Sequence, residues 1–420
     1  MNGTSRQKVT VIGAGIVGTV AANYLLREGH EVTLIDRAGP GEATSFGNAG
    51  GITCAAVVPI AYPGMIKDIP GWLLDPNGPL YLHWSYLPQV LPWLIKFLRA
   101  GRRDRVERIS KALATLNIPT FDAYRPLLKD AGLEHLFHQT GQLFVYRSKR
   151  AFERDRFGID LKRATGLRLD VLDGDEIRQL EPSLAPIFPA AYFIPDNGHC
   201  KNPFRLVQGL AEYFVRRGGA LVREEVLGFE MGARGPGTLI TRGGRRASDV
   251  TVIAAGVWSN ALTKQLGFDV PIITQRGYHV TLPDPGVMPR IMVLPMDNKI
   301  AITPMEMGLR LAGTVELAKL ESPPNYARAK CLLRIGREIF PGLRTEGYTE
   351  WMGNRPCFPD SLPVLGPVPG LGDTFVAFGH GHHGLLSASQ TGKVIAELIG
   401  GRPPSIDLTP FRIDRFSKNS

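Results

Sequence analysis

The sequence predicts an α/β chain of about two domains, and three observations carry that prediction. A β-branched run, Lys8 to Ile12, meets a glycine-spaced turn, a helical segment from Ile16 to Glu28 and a second apolar run from Glu31 to Ile35. At 420 residues with 44% hydrophobic content, the chain is too long for one simple core. Strand-like runs that suit the same sheet return only at Ala220 and Asp249, so a second domain is inserted before the first is finished.

The opening unit carries the most specific signal. Gly13, Gly15 and Gly18 follow the first strand in the spacing G-x-G-x-x-G, and Ile16 and Val17 open the helix. Gly13 permits a tight turn, Gly15 has no Cβ to block a pyrophosphate, and Gly18 lets helix and strand pack closely. Asp36 ends the second strand, where its carboxylate can accept hydrogen bonds from ribose hydroxyls, and Arg37 follows it. The acid argues against a 2′-phosphate and leaves FAD or NAD. The small-residue loop Gly39 to Gly51 comes next. There Ser45, Asn48, Ala49, Gly50 and Gly51 can bring backbone amides to phosphate or to a planar ligand.

At this point the chain resembles the D-amino-acid oxidase/dehydrogenase superfamily of FAD enzymes. Gly13 to Gly18, Asp36 and Thr44-Ser45-Phe46-Gly47-Asn48-Ala49-Gly50-Gly51 are similar to its N-terminal signature, and Val57 to Gly64 resembles glyphosate oxidoreductase and D-amino-acid dehydrogenases. The resemblance implies a Rossmann-like FAD-binding domain and an interleaved substrate domain built on an antiparallel sheet and helices. The expected division is 1–76, 197–268 and 355–420 for FAD binding, with 77–196 and 269–354 for substrate.

Residues Trp72 to Ala100 hold Trp72, Trp84 and Trp93 beside a helix candidate, Gln89 to Leu98, and Arg99, Arg102, Arg103, Arg105 and Arg108 follow. Aromatic rings beside a basic cluster suit a membrane interface, and they suit equally a core or lid helix with a solvated end. Lys111 to Glu181 is helical apart from the strand-like Gly141 to Tyr146. Asn202 then caps a helix opened by Pro203, with Gly218 beyond its end. Strands at Ala220 to Arg223, Val226 to Glu230 and Asp249 to Gly256 complete the first domain. The resemblance makes Val226, Ala255 and Gly256 neighbours of the cofactor.

The second half of the inserted domain runs from Pro271 to Gly353, with strands at Gln275 to Val280, Ile300 to Thr303 and Gly308 to Thr314. Alternation puts every second residue on a ligand-facing side, which makes Tyr278 and Arg310 candidates for substrate contact. Separately, His279 is a candidate base. In Trp351-Met352-Gly353-Asn354-Arg355-Pro356, Arg355 can hold a carboxylate through two parallel hydrogen bonds. Gly379, His380, Gly381, His382, His383 and Gly384 form a turn whose amides can face a flavin ring. Its histidines lack the Cys, Asp or Glu partners of a metal site, so no metal is expected. Gly392 to Leu398 gives the last helix.

Function classes narrow accordingly. The net charge of +10 is dispersed and carries no nucleic-acid motif, so an anionic substrate or membrane surface explains it better. No apolar run reaches the roughly 18 residues of a membrane span, and the four cysteines suit reduced thiols of an intracellular protein. The expectation is non-covalent FAD and oxidation of the C–N bond of a small amine or amino acid, through hydride transfer to the flavin. Quinone or oxygen would be the electron acceptor, in the cytoplasm or at the inner face of its membrane. N-substituted glycines, aminophosphonates and cyclic imino acids stay open as substrates. A flavin monooxygenase is the competing enzyme class, and a nucleotide-binding scaffold without catalysis is the third.

Overall fold

The computed structural model describes residues 6–75 and 78–417. Strand β1 (Lys8–Ile12), helix α1 (Ile16–Arg27) and strand β2 (Glu31–Asp36) form the opening unit. Helices α2 (Leu87–Ala100), α3 (Arg103–Asn117) and α4 (Thr120–Ala131) follow, then strand β3 (Gln142–Tyr146). Helix α5 (Pro203–Arg216) is capped by Asn202, whose Oδ1 accepts from the Arg205 amide at 3.0 Å. Strands β4 (Ala220–Arg223) and β5 (Val250–Ile253) return to the first sheet. Strands β6 (Ile273–Leu282) and β7 (Gly308–Leu317), helix α6 (Ala327–Ile339), strands β8 (Thr349–Cys357) and β9 (Leu371–Phe378) and helix α7 (Gly384–Ile399) complete the series.

Two large sheets result. The six-stranded sheet runs β4, β2, β1, β5, β9 and Val364–Val368, parallel except at that last edge. Its interior strands are buried on both faces, so their sequences are unbroken β-branched runs without polar alternation. The nine-stranded sheet is mixed, mainly antiparallel, and its central path runs β8, β6, β7, Ala301–Met305, Met292–Pro295 and β3. Its strands alternate cleanly. Gln275, His279 and Thr281 of β6 turn toward the nucleotide half, whereas Tyr278 and Val280 join the apolar cluster that includes Leu332 and Ile335 of α6.

Helices α1 and α7 lie side by side on the six-stranded sheet. They approach so closely that a Cβ on Gly392 would meet the Ala21 amide nitrogen at 2.9 Å. Each follows a parallel strand, so both N-termini open at the carboxyl edge of the sheet. The helices of the inserted stretch depart from the expected division. Ile109, Leu113, Leu116, Tyr124 and Leu127 of α3 and α4 share one core with Val9, Val20 and Ile395. Tyr124 donates to the Leu385 carbonyl at 2.7 Å and Ser387 to Asn117 Oδ1 at 2.8 Å. By packing, residues 103–131 therefore cover the nucleotide half, and helical periodicity alone did not reveal which sheet their apolar stripe would meet.

Candidate active site

The carboxyl edge of the parallel sheet is built as a cradle. Gly13 adopts φ +112°, and a side chain there would sit 2.5 Å from the Ala254 carbonyl oxygen. A Cβ on Gly18 would lie 1.8 Å from the Gly13 carbonyl oxygen, so the strand and helix touch at that point. Gly15 differs from both. Its nearest neighbour would be Ser45 Oγ at 3.4 Å, and as N-cap it offers no side chain to the first-turn amides of α1. The open volume above Gly15 and the uncapped helix end fit a pyrophosphate, which a side chain would exclude. Ser45 Oγ meanwhile accepts from the Ile16 amide at 3.0 Å. Val17 continues that first turn.

Asp36 is aimed by backbone. Its Oδ2 accepts from the Ala14 amide at 2.7 Å and its Oδ1 from the Ala38 amide at 2.9 Å, which fixes the carboxylate at the end of β2. Arg37 lies over the Trp258 ring, 4.4 Å from its centroid, and 3.5 Å from Glu225, marking the outer end of the cradle. Ala255 and Val226 pack on the cluster that includes Ile35 and Ile253, and Gly256 takes φ +58° beside them. Each lies close to the strand ends.

Loop 44–51 is held from the opposite sheet by three side chains on three consecutive carbonyls. His279 Nδ1 donates to Gly47 O at 3.0 Å, Arg310 Nη1 to Asn48 O at 2.8 Å, and Thr303 Oγ1 to Ala49 O at 2.8 Å. The Trp351 ring lies on Gly47, where a Cβ would come within 2.0 Å of it, and His279 stacks on the same ring at 5.2 Å. Gly50 takes φ +76° and its amide donates to Asn48 Oδ1 at 2.8 Å; Gly51 starts the short strand Gly51–Ile52. This clamp pairs residues more than two hundred positions apart, and no motif announces it.

The clamp bears on two assignments, and the opposite face of β6 on a third. Arg310 spends its guanidinium on Asn48 O and Thr281 Oγ1, so it supports the loop and is not free for substrate. Burial lowers it to about 10, still cationic at neutral pH. His279 is pushed down to about 3 by burial and by Arg310, and its Nδ1 proton is committed to Gly47. Burial and Arg310 make this imidazole a weak proton acceptor, which speaks against His279 as the base. Tyr278 is on the wrong face. Its hydroxyl donates to Glu316 and accepts from the Asn325 amide at 2.9 Å, deep in the layer under α6. Alternation identifies two faces of a strand but not which one meets the ligand.

The glycine turn and Arg355 close the site. Gly379 and Gly381 take φ +84° and +54°, and the Gly381 amide donates to Pro356 O at 2.9 Å, which ties the turn to the end of β8. Gly384 then begins α7, eight residues earlier than its expected start at Gly392. His380 pairs with Thr391 Oγ1 and His382 with Gln275 Oε1, both at 3.0 Å. Burial disfavours the cation at all three imidazoles, and Arg355 adds to it at His382: His380 falls to about 3, His383 to about 4, and His382 is well below its ordinary value. Cys357 beside them is raised to about 12 by burial, so its thiol is not a nucleophile.

Arg355 projects from β8 across Gly277 and donates from Nη1 to the Thr314 carbonyl at 3.1 Å. Among the described residues it forms no ion pair with a carboxylate. The guanidinium is half-buried and close enough to His279 and His382 to disfavour their cations, and its chemistry can hold a ligand's negative group.

Comparison with known proteins adds three findings. Residues 8–398 match the DAO family, described as FAD dependent oxidoreductase. The chain is 40% identical over 415 residues to a D-amino-acid oxidase of Bradyrhizobium diazoefficiens, covering 97% of this chain and 98% of that one. It is 31% identical over 421 residues to a D-amino acid dehydrogenase of Xanthobacter autotrophicus, covering 98% and 99%. Its fold is similar to that of an L-proline dehydrogenase from P. horikoshii, with a TM-score of 0.75 at 20% identity over 99% of each chain.

Proposed function

This chain belongs to the DAO family of FAD-dependent oxidoreductases, and from that premise we propose that it oxidises the C–N bond of a carboxylate-bearing amine, D-amino acids first. The observation that carries the proposal is Arg355, a cation that among the described residues donates to a carbonyl and pairs with no carboxylate. Bound FAD supplies the two-electron acceptor. The chain supplies position. Arg355 takes the carboxylate and fixes the α-carbon, while Gln275 and His382 hold one wall and the clamped loop holds another. Since His279 and the turn histidines are too weakly basic to serve, the amine reacts deprotonated. Loss of a hydride and a proton gives an imine, and water hydrolyses it to the keto acid and ammonia.

The test is an anaerobic screen for bleaching of the bound flavin across D- and L-amino acids, cyclic imino acids, N-substituted glycines and aminophosphonates. Bleaching by D-amino acids is the expected result. Reduction only by amines that lack an anionic group would overturn the proposal. Arg355→Lys should raise KM by about 10-fold to 100-fold, because a point charge cannot make a two-pronged contact.

For the acceptor, helix α2 favours a quinone at an anionic membrane surface. Trp93 is a core residue, 5% exposed and stacked on Phe97 at 5.1 Å, so of the two readings of this stretch the core one holds for it. Trp84, at 69%, and Leu91 and Ile95, at 48% and 43%, form the outward apolar face instead, and Leu74 lies exposed nearby in sequence. Lys96, Arg99, Arg102 and Arg103 flank that face. An apolar stripe rimmed by cations suits lipid headgroups. The protein should float with anionic but not neutral liposomes, less so at high salt, and Trp84→Ser with Leu91→Ser should abolish flotation without changing turnover on a soluble quinone. Flotation unchanged by these substitutions would remove α2 from the interface. Among the described residues no helix is long and apolar enough to cross a membrane.

A further inference from the structure

Two features beneath Arg355 have no role in the sheet itself. Gly277 sits in the interior of β6, where glycine weakens a strand, and its φ lies outside the left-handed range, so its backbone admits any residue. What a side chain there would meet is the arginine, which would have to move. A Cβ at 277 would lie 1.9 Å from Arg355 Cζ and about as close to both terminal nitrogens, 2.1 and 2.0 Å. The guanidinium therefore rests directly on bare backbone.

Opposite Gly277 the register of β6 and β7 slips. Arg276 pairs with Glu316 and Tyr278 with Gly313, so Thr314 and Val315 together face the single residue Gly277. This is a bulge, and Thr314 within it adopts φ +56°, a conformation that β-branched residues rarely take. Its carbonyl is the oxygen that receives Arg355 Nη1. Its Oγ1 is buried without a partner, so the strained residue gains nothing from its own hydroxyl.

We propose that Gly277 and the Thr314 bulge form a seat that fixes the Arg355 guanidinium, leaving one defined edge for the substrate carboxylate. Gly277 provides the flat floor, and the Thr314 carbonyl occupies Nη1, so the ligand meets the remaining N–H groups. Both are positioning residues for a ligand they do not touch. The inference rests on Arg355 being the carboxylate receptor, and it adds that the receptor is held in place by backbone alone.

The test titrates the flavin-loaded protein with benzoate, a non-reactive carboxylate, read by the flavin spectrum, and measures KM and kcat with the best amino acid from the screen. Gly277→Ala should weaken benzoate and raise KM by about 10-fold to 100-fold, the worth of one hydrogen bond to a charged group, with kcat at saturation and flavin content nearly unchanged. If Gly277→Ala lowers Tm or flavin content, adding Arg355→Ala should restore both, since the collision is then gone. Failure of that rescue would overturn the seat. Normal benzoate binding in Gly277→Ala while Arg355→Lys binds weakly also overturns it. Normal binding in Arg355→Lys refutes the receptor role itself.

Discussion

At the scale of single residues, the site works by keeping its imidazoles neutral and its guanidinium free. His279, His380 and His383 fall to about 3, about 3 and about 4 from an ordinary value of 6.5, chiefly because burial disfavours the cation. The unfolded chain binds those protons near pH 6.5, while the folded chain resists them until far lower pH. Stability is therefore complete above about pH 6.5 and falls as pH drops toward 4, by up to about 1.4 kcal/mol per pH unit for each such histidine. Thermal denaturation between pH 8 and pH 4 should show Tm level above 6.5 and falling below it. His279→Gln should flatten part of that fall, and a Tm that rises on acidification would contradict these burials. The pH dependence of kcat/KM should follow the substrate amine and contain no ionisation assignable to His279.

At the scale of elements, the three glycines of the first turn have separable duties. Gly15→Val meets nothing nearer than Ser45 Oγ at its Cβ, so the protein should fold yet purify colourless; Gly18→Val would drive a side chain into the Gly13 carbonyl and should lower Tm or yield no soluble protein. Circular dichroism and flavin absorbance separate these outcomes. This unit was legible because its signal is local: spacing, β-branching and a terminal acid lie within thirty residues. Strand β8 was not, because Gly353, Asn354 and Pro356 are residues that strands usually avoid. Arg355 was found through its motif while the strand carrying it was not. The Thr314 bulge and the three-carbonyl clamp left no trace in sequence, since each depends on register between distant strands. Helix α6 was likewise unassigned, its apolar face obscured by Arg328, Lys330, Arg334 and Arg337.

At the scale of the whole molecule, the cofactor cradle joins the first strand to the last helix. Strand β1 is flanked by β2 and β5, and β5 by β9, so the middle of the six-stranded sheet is assembled from segments near residues 10, 250 and 375. A chain ended after residue 370 lacks β9 and α7 and leaves the β5 edge and one face of α1 uncovered. It should be insoluble or flavin-free, and separate supply of residues 371–420 should restore flavin binding if the interface alone is missing. The same connectivity sets a timetable for synthesis. At roughly 5–20 residues per second, β1 waits some tens of seconds on the ribosome before its second neighbour exists. During that interval Val9 and Val11 present an unpaired apolar edge, so the newborn chain depends on chaperones for longer than its finished fold would suggest.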